Sequence, residues 1–285
     1  MHTTRFAPSP TGPLHLGHAY AALFAQAAAD AGPFLLRIED LDSSRTRARF
    51  IEQIEADLHW LGLRWREPAL RQSSRGAAYR DALEQLARWE LTYPCFCTRR
   101  EIVLEGERAG QAPHGTIGAD GARYPGTCRR LSSGERARRC EAGEPFALRL
   151  DVARAVARSG ELQFEERGSG AHGERGVQRA RPEQLGDIVL ARKGLPAAYH
   201  LAVVLDDAYQ GVTLVTRGQD LFPATHVQRL LQALLGLPTP LYAHHRLITD
   251  ERGRKLSKRD QPATLQSLRA GGVAAADVRR RLGFD

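Results

Sequence analysis

The chain has 285 residues, of which 26% are charged and 42% hydrophobic, and carries a formal net charge of +8. That length suits one or two domains, and the mix excludes a disordered chain, a collagen-like chain and a small disulfide scaffold. No uncharged apolar run reaches the roughly 18 residues that cross a bilayer, and the amino terminus lacks the apolar core of an export signal, so a cytoplasmic protein without a membrane partner is expected.

Residues 3–7 read as a short strand that runs into the breaker-dense loop Pro8-Ser9-Pro10-Thr11-Gly12-Pro13. Residues 16–31 are alanine-rich and predict a helix ending at Gly32. Residues 34–38 predict a second strand, which completes one βαβ unit. Helices are expected over 47–61 and 74–91, with Phe50, Ile51, Ile54, Leu58 and Leu61 at core spacing. From 95 to 185 periodicity fades. Short strands are plausible at 146–149 and 162–165, and residues 168–181 read as a mobile basic loop. Candidate buried parallel strands follow at 187–191, 201–205 and 212–215, then an amphipathic helix over 220–235, a polar turn, and two short helices. The expected fold class is α/β, with a Rossmann-type parallel sheet split by an insertion. The expected domains are a first catalytic half at 1–94, an inserted α+β subdomain at 95–185, a second half at 186–243 and a carboxyl-terminal segment at 244–285.

Chemistry concentrates in two places. The stretch from Arg5 to His18 leaves a strand and opens a helix, where ligands of such sheets bind and where free N–H groups favour phosphate. His15 and His18 share one face of the first turn and can donate to phosphate oxygens. Gly17, lacking a side chain, leaves room for an adenine ring. The second place is Arg254-Lys255-Leu256-Ser257-Lys258-Arg259. The chain has only three lysines against 38 arginines, and two of them are here. Lysine supplies a mobile ammonium suited to following a phosphate. The basic balance also suits RNA, although arginine bias on solvated faces contributes to it. His200, His226, His244 and His245 sit in no motif and read as packing or surface residues.

Together, His15-Leu16-Gly17-His18 and Lys255-Leu256-Ser257-Lys258-Arg259 resemble the paired signatures of class I aminoacyl-tRNA synthetases. The words Arg5-Phe6-Ala7-Pro8-Ser9-Pro10-Thr11-Gly12, Arg37-Ile38-Glu39-Asp40-Leu41-Asp42 and Thr216-Arg217-Gly218-Gln219-Asp220-Leu221 are similar to the glutamyl branch. Only 26 residues follow Arg259, which leaves no room for an anticodon-binding domain. The resemblance is therefore to the truncated paralogues of the glutamyl enzymes. It implies ATP-dependent activation of L-glutamate and its transfer to the queuosine base in the anticodon loop of tRNA(Asp); a monomer is expected, with the sequence leaving oligomeric state open. It also implies that Arg5, Ala7, Ser9, Glu39, Tyr199 and Arg217 line the glutamate site. His15, Gly17, His18 and Lys258 would bind ATP, with Lys255 assisting Lys258 on the leaving pyrophosphate. Arginine suits a carboxylate bidentately, and Glu39 suits the ammonium. Magnesium is expected with the triphosphate. Transfer to a tRNA 3′ end or a non-RNA acceptor, and a catalytically silent glutamate- or RNA-binding paralogue, stand as alternatives.

Cys95-Phe96-Cys97 followed by Cys128 offers three thiolates at metal-binding spacing, and a structural zinc is expected. The resemblance implies Tyr124, four residues before Cys128, as the fourth ligand. On chemistry alone Cys140 or His114 could complete the set.

Overall fold

The computed structural model describes residues 1–108, 123–249 and 263–284, with the side chains of 104–108 left aside. Lys255, Lys258 and His114 lie outside the described residues. β1 (Thr4–Phe6) leads through the proline-rich loop to α1 (Leu16–Ala28), and β2 (Phe34–Ile38) returns parallel to β1 with Arg5 opposite Leu35. The helix ends before Gly32 because Asp30 and Ala31 adopt φ values of 49° and 62°, a left-handed conformation that helices do not continue through. α2 (Ala48–Trp60) follows, then β3 (Leu70–Arg71), parallel to β2, and α3 (Gly76–Arg88). Ile51, Ile54, Leu58 and Leu61 are buried as their spacing predicts. Phe50 is not part of that core; it stays partly exposed beneath the Arg49 guanidinium.

The middle of the chain contributes β4 (Thr92–Cys95), α4 (Arg99–Arg108), α5 (Ser133–Glu141), β5 (Ala147–Leu150), α6 (Val152–Ser159), β6 (Gln163–Glu166), β7 (Gly176–Arg179) and β8 (Val189–Arg192). α7 (Tyr199–Tyr209), β9 (Leu214–Gly218), α8 (Phe222–Leu234), β10 (Leu241–His245), α9 (Leu265–Ala270) and α10 (Ala275–Leu282) complete it.

β9 and β10 run parallel, β6 joins β10 in parallel, and β7 closes that sheet antiparallel to β6. The amides of Thr213 and Leu214 both donate to the Thr3 carbonyl at 3.0 and 3.2 Å, so β9 lies against β1. The parallel strands therefore step outward on one side as β1, β2, β3 and on the other as β9, β10, β6. The order reverses between β1 and β9, the place where open α/β sheets bind ligands. β4, β5 and β8 form a separate antiparallel sheet.

Four expectations change. Residues 201–205 are not a strand but the middle of α7, since an unbroken apolar run fits a buried helix equally well. The strand at 187–191 is β8, antiparallel and outside the parallel sheet. The basic stretch 168–181 is not all loop, because β7 pairs there with β6. β6 and β7, expected in the insertion, pair with the same sheet as β9 and β10.

Leu14, Leu23, Leu36, Ile54 and Leu58 pack with Leu265, Val278 and Leu282, so α9 and α10 cover the amino-terminal half. Each such buried side chain contributes about 1.5–3 kcal/mol. A second core joins α3, α7 and α8 through Tyr79, Leu201, Val203, Leu230 and Leu231. Among the described residues, no helix is long and apolar enough to cross a membrane.

Candidate active site and candidate metal centre

A cavity of about 500 Å³ opens at the carboxyl ends of β1 and β9. Every described residue expected at the site lines it: Arg5, Ala7, Ser9, His15, Gly17, His18, Glu39, Tyr199 and Arg217.

The tip of α1 is built from its two histidines. His15 is the N-cap, and its Nδ1 accepts the Gly17 N–H at 3.1 Å, while His18 Nδ1 accepts the His15 N–H at 3.2 Å. This is a reciprocal cap of the kind Ser and Glu make elsewhere. Nδ1 is an acceptor in both rings, so in each neutral ring Nε2 carries the hydrogen. The tip thus offers two imidazole N–H donors beside the helix N-terminus. Gly17 serves this arrangement directly: a Cβ there would stand 3.0 Å from the His15 ring. Its lack of a side chain makes room for His15, a role the sequence did not disclose.

Below the tip, Asp207 on α7 joins the first two strands. Arg5 donates from Nε to Asp207 Oδ1 at 2.9 Å and from Nη1 to the Thr216 carbonyl at 2.8 Å. Arg37, fully buried, places Nη2 2.7 Å from Asp207 Oδ1. Burial opposes ionisation of Asp207, but the Arg37 and Arg5 guanidiniums win and hold its carboxyl below the usual carboxylate range. Asp206 accepts from Gln72 at 2.9 Å, Tyr79 at 2.8 Å and Arg75 at 3.2 Å.

Arg217, at the carboxyl end of β9, differs. Its Nη1 donates to Gln228 Oε1 at 2.7 Å and to the Tyr199 hydroxyl at 3.2 Å, its Nη2 to Thr225 Oγ1 at 2.7 Å, and its Nε to His244 Nε2 at 3.1 Å. The residue is only 6% exposed. Among the described residues no carboxylate forms an ion pair with it. A buried cation held by neutral groups is costly unless an anion joins it, and one Nη2 hydrogen is left over for that anion. Glu39 supplies the opposite charge on the cavity wall. Burial pushes its carboxyl up to about 7, against the pull of Arg37 and Arg5 and with the push of Asp207 and Asp206.

The described residues on either side of 250–262 reach this cavity. Ile248 lines it, and Thr264 forms a bridge with His15 while the Leu265 amide donates to the Leu14 carbonyl at 2.9 Å.

The cysteines converge elsewhere. The sulfurs of Cys95, Cys97 and Cys128 lie within 4.8 Å of one another, and this three-cysteine cluster can hold a metal ion. Cys97 and Cys128 are 3.5 Å apart, close to the roughly 3.8 Å that two thiolates span on tetrahedral zinc. The Tyr124 hydroxyl sits 3.7 Å from Cys97 Sγ and accepts the Cys128 N–H at 2.7 Å. Burial raises the Cys97 thiol to about 12. Burial acts the same way on Cys128, but the Phe96 N–H together with Tyr124 and Cys97 holds it below its usual range. Cys140, on α5, is not a member of the cluster among the described residues.

Sequence reasoning missed Asp207, Glu166, Thr225, Gln228 and His244. Only Asp206-Asp207 left a signal: two acids ending an apolar run are buried and must find cations. His244, expected to be a packing or surface residue, is 1% exposed and touches Arg217.

The family model for tRNA synthetases class I (E and Q), catalytic domain, matches residues 2–281. Glutamyl-Q tRNA(Asp) synthetase of Rhodobacter capsulatus is 51% identical over 99% of this chain and 99% of its own length. The protein of that name from Nocardia farcinica is 44% identical over 96% of this chain and 81% of its own. Among solved structures, glutamate-tRNA synthetase of Elizabethkingia anophelis superposes with a TM-score of 0.71 at 31% identity, over 91% of this chain and 53% of that protein. This chain spans about half the length of that solved structure.

Proposed function

The chain belongs to the class I tRNA synthetases of the E and Q family, and on that premise we infer that it activates L-glutamate with ATP and transfers it to queuosine in tRNA(Asp). It is an enzyme of the ligase class. An α-carboxylate oxygen of glutamate attacks the α-phosphorus of ATP and pyrophosphate leaves. The glutamyl group then passes from AMP to the modified base. The nucleophile is already an anion, so the protein's part is positioning and charge stabilisation.

The observation that carries this reading is the pairing of Arg217 with the α1 tip across one cavity. A buried guanidinium lacking a carboxylate partner among the described residues fits a carboxylate of the substrate, and Tyr199 holds the same guanidinium from the side. Glu39 faces the ammonium. Arg5, whose fork is fixed by Asp207, lines the cavity beside Ala7 and Ser9. The Nε2–H groups of His15 and His18 meet the phosphates, with Gly17 between them. Lys258 follows the leaving pyrophosphate and Lys255 assists. When bound with ATP, magnesium would neutralise part of the triphosphate charge.

Cys95, Cys97, Cys128 and Tyr124 would hold one structural zinc, which would tie the end of β4 to the turn at Cys128. The inserted unit is then narrower than 95–185, with β6 and β7 counted in the catalytic sheet. The enzyme works as a cytoplasmic monomer.

Pyrophosphate exchange with glutamate, aspartate and glutamine tests the first half-reaction, and exchange should require glutamate. Transfer to tRNA(Asp) with and without queuosine tests the second. Label that appears on tRNA lacking queuosine, or that maps to the 3′ end, would overturn the acceptor assignment.

A further inference from the structure

Behind Arg217 lies a buried acid that touches no part of the cavity. Glu166, at the end of β6, is 2% exposed. Its Oε1 accepts the backbone N–H of Gly168 at 2.8 Å and of His244 at 2.9 Å. Its Oε2 stands 2.6 Å from His244 Nδ1. The opposite nitrogen of that ring, Nε2, stands 3.1 Å from Arg217 Nε. The junction is tight, since a Cβ on Gly168 would stand 2.2 Å from the His244 carbonyl oxygen.

The direction of these bonds follows from chemistry. Arginine is always a donor, so His244 Nε2 must accept. A neutral imidazole that accepts at Nε2 carries its hydrogen on Nδ1, and that hydrogen points at the Glu166 carboxylate, which can only accept. The three groups are satisfied in one arrangement alone: Glu166 carboxylate, Nδ1–H tautomer, Arg217 Nε–H.

We propose that Glu166, acting through the tautomer of His244, is the positioning residue that aims Arg217 at the substrate carboxylate. The proposal deepens the glutamate-site reading and rests on Arg217 as the carboxylate ligand. Glutamate affinity then depends on an acid that never meets the substrate. The nucleotide side of the cavity does not depend on it.

Glu166→Gln separates these roles. The two backbone N–H groups keep the amide oxygen at the Oε1 position, so the NH2 faces His244 Nδ1. The ring must then accept there and carry its hydrogen on Nε2, where it meets Arg217 Nε–H donor to donor. Glu166→Asp keeps an acceptor-only group, and with it the original tautomer.

The experiment combines side-chain ¹⁵N NMR of the histidines with glutamate-dependent pyrophosphate exchange, on the full chain. The expected result is an Nδ1–H signal for His244 in the wild type and in Glu166→Asp, and an Nε2–H signal in Glu166→Gln. In Glu166→Gln the KM for glutamate should rise about 10- to 100-fold, the range set by loss of one charge-assisted hydrogen bond, with the KM for ATP unchanged. An unchanged tautomer in Glu166→Gln overturns the proposal. So do equal KM changes in the Asp and Gln variants, which would mark a packing role. A switched tautomer with an unchanged KM for glutamate would instead overturn Arg217 as the carboxylate ligand.

Discussion

Replacing Glu39 with glutamine should expose a conflict between stability and substrate binding at one carboxyl. Burial lifts this group from 4.5 to about 7. A raised carboxyl is protonated more readily in the folded than in the unfolded chain, so its contribution makes the wild type lose stability as pH rises from 4.5 to 7. The displacement corresponds to at most about 3 kcal/mol. Glu39→Gln removes that penalty, so the variant should be more stable than the wild type at pH 8, with the difference shrinking toward pH 4.5. Binding moves the other way, because the ammonium of glutamate needs the ionised form. For a group titrating near 7, the apparent KM should rise about tenfold from pH 8 to pH 6. Pyrophosphate exchange at saturating ATP reads this directly, and urea unfolding across the same range reads stability. In Glu39→Gln the KM should be high and its pH slope gone. A flat wild-type KM between pH 6 and 8, or an equal slope in the variant, would refute the reasoning.

Asp207→Asn should destabilise the fold by about 3–5 kcal/mol in urea unfolding, because it leaves the buried Arg5 and Arg37 without their shared counter-charge. Unchanged stability would mean that these guanidiniums find another anion. Elemental analysis should give about one zinc per chain, and a chelator should lower the melting temperature; well under half an equivalent would end the zinc assignment. Lys258→Ala should slow adenylate formation severely while glutamate binding changes little, as measured by single-turnover kinetics beside calorimetry. An unchanged rate would remove Lys258 from the phosphate path.

Much of the site was legible because its residues sit in short contiguous words. The stretch from Arg5 to His18 crosses from strand to helix tip, so its breaker-dense composition marked a strand-to-helix turn. Glu39 and Arg217 each end a strand, and strand ends at a reversal of order converge on one cavity. What stayed hidden depends on distant pairing. His244 meets Glu166 from 78 positions away and Arg217 from 27, and no local pattern encodes either contact. α7 was misread because its core run, Leu201 to Leu205, has no polar residue to reveal a period of 3.6. β10 went unseen because its five residues carry no alternation that marks a strand, and its two histidines, both buried, meet distant parts of the chain. At Gly17 the structure adds a reason for glycine that the sequence did not carry, since a Cβ there would crowd the neighbouring imidazole.

The interlocked imidazoles at the head of α1 carry a caution for mutagenesis. The rings that would grip the nucleotide also terminate the helix, each spending one nitrogen on the other's turn of backbone. Loss of activity after changing either ring therefore cannot by itself report contact with substrate, because a cap bond of the helix is lost at the same moment. Architecture and chemistry are here a single investment in two side chains, and only a replacement that preserves the backbone bond can tell them apart.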